Sequence, residues 1–159
     1  MAGDSFASTD SICACASLRR ASRSTCRLYD LVLRPTKLKT TQFLILASIG
    51  EAGEIAHCDL ARRFSASEET FSRRLASARQ AGWVRMRIDD RRRRVYALTE
   101  RGTTLLQFAR PYWERAQDRL RGELGDLDWN IIANLAERIT AAAARAEKAR
   151  ARNGRSAVA

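Results

Sequence analysis

A chain of 159 residues with 45% apolar and 30% charged side chains is long enough for one domain with a real core and too apolar for a disordered tail. Its 29 Lys and Arg against 18 Asp and Glu leave a net charge of +11, an excess that concentrates a polyanion, nucleic acid or an anionic membrane, at the surface. No stretch approaches the ~18 uninterrupted apolar residues of a spanning helix, and MAGDSFASTDS lacks the basic start and apolar run of a secretion signal, so no membrane partner and a cytoplasmic location are expected.

Residues 1–11 are expected to be flexible. The run ICACASLRRASRSTCRLYDLV, from Ile12 to about Val32, has no Gly or Pro and predicts a helix capped by Asp10 or Ser11 and broken by Pro35. LKTTQFLILASIG predicts a second helix, capped near Thr40, stopped around Gly50 or Gly53, and burying Phe43, Leu46, Ala47 and Ile49. A short third helix fits IAHCDLARRF, with Leu60 and Phe64 one turn apart. Ser65 or Ser67 then caps EETFSRRLASARQAG, in which Phe71, Leu75 and Ala78 recur at helical spacing and Gly82 ends the run.

The period then changes from helical to alternating. In WVRMRID, Val84, Met86 and Ile88 alternate with Arg85, Arg87 and Asp89, as in a half-buried strand. RVYAL follows as a second strand, giving a hairpin with DDRRR at its tip. Thr99 caps a long helix with a stripe of Leu105, Ala109, Tyr112, Trp113, Ala116 and Leu120, kinked at Pro111. A last helix runs from Asp128, its cap, through Trp129, Ile132, Leu135, Ile139 and Ala143, and residues 149–159 form a basic, frayed tail. The fold class expected is mainly α with a small β part (α+β).

Helix, short turn, helix, hairpin is the order of a helix-turn-helix followed by a wing. Such a second helix fits the DNA major groove and sets its first turns against base edges and phosphates. Here that places Ser67, Glu69, Thr70, Ser72, Arg73 and Arg74 at double-stranded DNA, while the hairpin tip carries Arg91, Arg92, Arg93 and Arg94 toward the adjacent minor groove. Two plainer readings stand beside these. The arginine run is a solvated turn in which Asp89 and Asp90 neutralise Arg92 and Arg94, and the helix is an ordinary amphipathic one whose Glu68 and Glu69 serve its N-terminus; on the DNA-contact reading not all four arginines need touch DNA, and one pairs with Asp90 to hold the wing's shape.

Cys13, Cys15, Cys26 and Cys58 form no C-x-x-C pair, and free thiols are expected in a reducing compartment. Along one helix Cys13 and Cys15 face nearly opposite ways, and Cys15 and Cys26 lie about 16 Å apart on the axis, so a disulfide needs another chain or a small thiol. His57, the single histidine, stands beside Cys58, but neighbours on a helix diverge and a metal site needs three or four ligands, so no metal is expected. No cofactor loop or acid–base set is present either. A thiol-dependent oxidoreductase is therefore a weaker alternative than a non-enzymatic DNA binder, and a non-specific architectural DNA binder is a third.

LKTTQFLILASIG, DLARRFSASEETFSRRLASARQAGWVRM and DDRRRRVYALTERG together resemble the MarR family of winged helix-turn-helix regulators, over residues 12 to 145. The AGWV step, the Asp90-x-Arg92 pattern and ALTERG are the most specific pieces. The resemblance implies a homodimer built on N-terminal (12–34) and C-terminal (101–148) dimerisation helices around a DNA-binding domain (38–100). It also implies a palindromic operator and repression released by a small molecule or an oxidant. The apolar Tyr112, Trp113, Trp129, Ile132 and Ile139 fit, since they need covering. Cys15 falls where the family's organic-hydroperoxide sensors carry their reactive thiol, and Tyr29 where they place a tyrosine that meets it across the dimer. Arg19 and Thr40 stand where those sensors have further tyrosines; Arg19 or Arg20 favours a Cys15 thiolate instead. The alternative is that Cys13, Cys15 and Cys26 are small buried packing residues.

Overall fold

The computed structural model describes residues 13–156, which divide after Gln117 into two compact units. The predicted caps Asp10 and Ser11 lie outside the described residues. The first helix, α1, spans Ala14–Leu33 and passes into a 3-10 turn at Arg34–Thr36, where Pro35 ends the regular ladder. The Thr36 hydroxyl donates to the Leu33 carbonyl at 2.7 Å and accepts the Leu38 N–H at 3.2 Å, closing the turn without solvent.

Helix α2 (Thr40–Ala52) begins one residue earlier than a Thr40 cap requires, with Lys39 at the cap position. The donors at its start are satisfied instead by Gln42 Oε1, which accepts the Lys39 N–H at 2.9 Å, and by Asp30 of α1. The Asp30 carboxylate accepts both the N–H and the hydroxyl of Thr40 at 2.7 Å, fastening the second helix to the first. Phe43, Leu46 and Ile49 are buried as predicted, Ile45 is buried as well, and Ala47 is only partly covered.

After Gly53 comes a strand that the sequence pattern does not announce, β1 (Glu54–Ala56), so helix α3 is His57–Arg63 and starts later than expected. Three residues are too few to display alternation. The chain then turns through a Schellman closure: the Ala66 N–H reaches the Ala61 carbonyl at 3.2 Å and the Ser65 N–H reaches Arg62 at 3.1 Å, with Ser65 in the left-handed region at φ 46. Helix α4 follows as Glu68–Gln80, then strands β2 (Val84–Ile88) and β3 (Arg94–Leu98). The sheet order is β1-β3-β2, antiparallel throughout.

These elements close over one core in which Leu33, Ile49, Leu60, Phe71 and Leu75 are fully buried, each such side chain contributing about 1.5–3 kcal/mol of apolar transfer. Trp113 stacks on Phe43 with centroids 4.6 Å apart and meets the edge of Tyr29 at 4.5 Å. Two glycines fix the wing's base. Gly82, at φ 71, ends α4, and a Cβ on Gly102 would sit 2.0 Å from the Trp83 carbonyl oxygen. Thr99 spans the same point, its hydroxyl donating to the Gly82 carbonyl at 2.6 Å and accepting the Gly102 N–H at 3.0 Å. The AGWV and LTERG motifs therefore meet as one knot.

The last helical run, α5 (Glu100–Ser156), is capped at its start by Thr99 as predicted and joins two helices across a kink. Its non-helical residue is Gly125 (φ 77, ψ 161), which separates the helix that follows Thr99 from a last helix, as the sequence predicts; Pro111 lies inside the first of them without such a departure. The predicted cap Asp128 lies inside the helical run, which also continues past residue 148 to Ser156, as an alanine-rich sequence favours. Within the second unit, Leu127, Ile131, Ile132 and Leu135 are exposed, and Trp129 and Ile139 are half-buried.

Candidate nucleic-acid interface

Helix α4 is held from behind and open in front. Phe71, Leu75 and Ala78 enter the core, while Glu69, Thr70, Arg73 and Arg74 are exposed. Ser67 is the N-cap: its hydroxyl accepts the Thr70 N–H at 3.3 Å and lies 3.0 Å from the Thr70 hydroxyl, which orders the first turn. Arg73 pairs with Glu69 one turn back at 3.3 Å, a fully solvated contact that costs little to open. Arg74 borders a small concavity with Thr41, Gln42, Ser77 and Trp83.

Ser72 is the exception among the predicted contacts. It is half-buried, with its hydroxyl 3.3 Å from Nε2 of His57, a buried ring packed edge-on to Phe71 and tilted against Tyr96. Ser72 thus faces α3 and braces the helix. A lone histidine in the sequence carries no signal of that role.

The wing follows α4 directly, β2 packing against it, with exposed Arg79 and Arg85 beside the groove between them. The predicted organiser, Asp90, is not the one found. Asp89 holds the tip: Oδ1 accepts the N–H groups of Arg91 (3.0 Å) and Arg93 (2.8 Å), and Oδ2 accepts Nε of Arg93 at 2.9 Å. The Arg93 backbone N–H first, then the Arg93 guanidinium and the Arg91 N–H, hold this carboxyl below the usual carboxylate range despite some desolvation. Backbone bonds from Asp89 to Arg93 and from Arg92 to Asp89, both 2.9 Å, close a three-residue loop whose last residue, Arg92, is left-handed at φ 57.

The four arginines are therefore unequal. All are exposed, but Arg93 is paired with Asp89 at 2.9 Å, whereas Arg91, Arg92 and Arg94 carry no ion pair among the described residues. Neutralisation of Arg92 and Arg94 by the two aspartates, the solvated-turn expectation, is not the arrangement found.

The predicted redox pair, expected to meet across a dimer, is not in contact within one chain. Cys13, Cys15 and Cys26 are exposed free thiols and Cys58 is half-buried, so the first three do not pack within their own chain. Tyr29 is buried, its hydroxyl bonded to the Gln117 side chain, and burial pushes its pKa up. Cys15 and Tyr29 are about 21 Å apart along α1, too far to meet within one chain.

Two helices joined by a tight turn, the second exposing a polar face and leading into a hairpin with an arginine tip, define a winged helix-turn-helix protein. No protein-family model and no curated protein matches the chain. Solved structures do: the transcriptional regulator MosR of M. tuberculosis, solved in complex with DNA, is 35% identical over 82% of this chain and 98% of its own, with a TM-score of 0.71. The chain belongs to the MarR family of transcriptional regulators. A mutant MarR of E. coli complexed with operator DNA (20% identity, 77% of this chain, 89% of its own, TM-score 0.70) has the same fold. So does the repressor CouR bound to a 23-mer duplex (21%, 82%, 94%, TM-score 0.74).

Proposed function

We propose that the chain is a homodimeric, sequence-specific DNA-binding repressor that sets α4 into the major groove and the wing into the flanking minor groove of a palindromic operator. The observation that carries this is the pairing of an exposed polar helix face, Glu69, Thr70, Arg73 and Arg74, with a tip carrying three uncompensated guanidinium groups. The 35% identity with MosR, itself solved on DNA, supports it. Dimerisation is supported by the uncovered Leu127, Ile131, Ile132 and Leu135, an apolar stripe that a twofold partner would bury. A regulator of this kind works by binding rather than turnover and acts in the cytoplasm. Among the described residues no helix is long and apolar enough to cross a membrane.

Release comes from a small-molecule effector or from oxidation at Cys15, an exposed thiol with exposed Arg19 and Arg20 one turn further along α1. The test is fluorescence anisotropy on duplex DNA from upstream of the chain's own coding region, with excess mixed-sequence competitor, before and after an organic hydroperoxide. Binding that survives competitor supports a regulator, and binding abolished by it supports the architectural alternative. Oxidant release that disappears in Cys15→Ser assigns the thiol; an unchanged response in that variant rejects it.

A further inference from the structure

We propose that Glu54 and Arg87 form a positioning clamp that presents the wing to DNA, an inference resting on the DNA-binding reading above. The hairpin outruns its support: β1 pairs with β3 only from Ala97 to Val95, and Ile88, Arg94 and the tip lie beyond the end of β1. A two-stranded ribbon is marginal alone. Arg87 lies opposite Val95 at this last supported rung, and its guanidinium crosses β3 to grip Glu54 of β1 with both arms, Nε to Oε1 at 3.1 Å and Nη2 to Oε2 at 2.5 Å.

The clamp leads on to the tip. Glu54, Arg87, Asp89 and Arg93 line one open concavity on the sheet, alternating acid and base from β1 to the arginine loop. Asp89 in turn binds the Arg91 and Arg93 backbones, so the orientation set at Glu54 continues to the loop that carries Arg91 and Arg92. The pair is half-exposed, and such pairs add little to stability. Its effect is expected in binding, where a preordered wing has less freedom to lose.

Charge and geometry predict opposite signs for one substitution. Glu54→Gln removes a negative charge from a chain that is already +11, so Coulomb attraction alone would tighten DNA binding. The clamp predicts weaker binding, by about 5- to 20-fold on the upstream duplex, with an unchanged unfolding midpoint. In an Arg91→Ala, Arg92→Ala background the same substitution loses its effect, and the swap Glu54→Arg with Arg87→Glu recovers most of the affinity. Tighter binding, an equal loss without the wing arginines, or no recovery by the swap overturns the clamp. Amide exchange of the DNA-free protein tests it separately: Glu54→Gln must speed exchange at the Asp89, Arg92 and Arg93 N–H groups and leave α4 unchanged. If exchange does so while the parent binds no DNA, the functional reading fails and the mechanical clamp stands; if wing exchange is unaltered, the clamp fails whatever the DNA result.

Discussion

Phe71→Ala tests whether the candidate recognition helix is held in place by its core face. Phe71 is 0% exposed, with the Phe64 ring 5.2 Å away on one side and the His57 ring 6.2 Å away on another. Truncation of such a residue costs ~3–5 kcal/mol, the spread reflecting how far the site collapses. Phe64 is half-buried and free to lean in, whereas His57 is tied to Ser72, so partial collapse and a loss near the middle of that range, about 4 kcal/mol, are expected. At ~2–4 °C per kcal/mol for a chain of this size, the full range corresponds to a fall of about 6–20 °C in the unfolding midpoint. The assay is thermal circular dichroism at one fixed protein concentration, because subunit association shifts the midpoint. Arg73→Ala, fully solvated two residues away, serves as control and should stay within about 0.5 kcal/mol. A loss under about 1 kcal/mol for Phe71→Ala would refute the packing on which the helix's placement depends.

Gly102→Ala drives a Cβ against the Trp83 carbonyl and should cost at least ~1–3 kcal/mol by guanidinium unfolding. Gly50→Ala meets only the ends of Leu106 and Leu98 and gains helix propensity, so it should be far milder; equal losses would contradict the wing-base knot. Burial pushes the Asp30 carboxyl up, but hydrogen bonds from Thr40 and Lys39 leave its pKa below the ordinary value. Its stabilisation is therefore present above that ordinary value and lost as pH falls through the lowered one. Asp30→Ala should cost ~0.5–2 kcal/mol at pH 7 and flatten the stability profile below about pH 4, checked by urea midpoints; a profile as steep as the parent's would sink the assignment. At the wing, Arg91→Ala and Arg92→Ala should each reduce the slope of log Kd against log salt by about 1, and Arg93→Ala, already compensated by Asp89, by less. Equal slopes for all three would refute the division of the run.

The repeating and punctuated parts of the molecule were legible in the sequence. Phe71, Leu75 and Ala78 recur at helical spacing, Val84 and Met86 alternate, and Thr99 precedes its helix, so α4, the hairpin and the last cap follow from local chemistry. What escaped depends on partners distant in sequence. β1 is strand because Glu54–Ala56 finds β3 forty residues on, and no three-residue pattern announces that. Ser72 has the chemistry of a phosphate contact, yet His57 behind it turns it inward. Either Asp89 or Asp90 suited the wing, and the loop's register decided: Asp89 is the last residue before the turn, opposite Arg93, and Asp90 points outward from it. The break before the last helix is legible in the sequence, but it falls at Gly125, where glycine allows the φ of 77, three residues ahead of the cap expected at Asp128.

Arg91, Arg92 and Arg94 also govern the chain's behaviour when no nucleic acid is present. Three like charges held at a wing tip of fixed conformation repel one another, and with no ion pair to answer them among the described residues they draw counterions from the medium. Multivalent oxyanions such as phosphate or sulfate match guanidinium forks far better than chloride does. At equal ionic strength, a phosphate buffer therefore acts on this wing as a dilute competitor for its own binding site, and the apparent affinity for any duplex depends on which anion the protein was stored in.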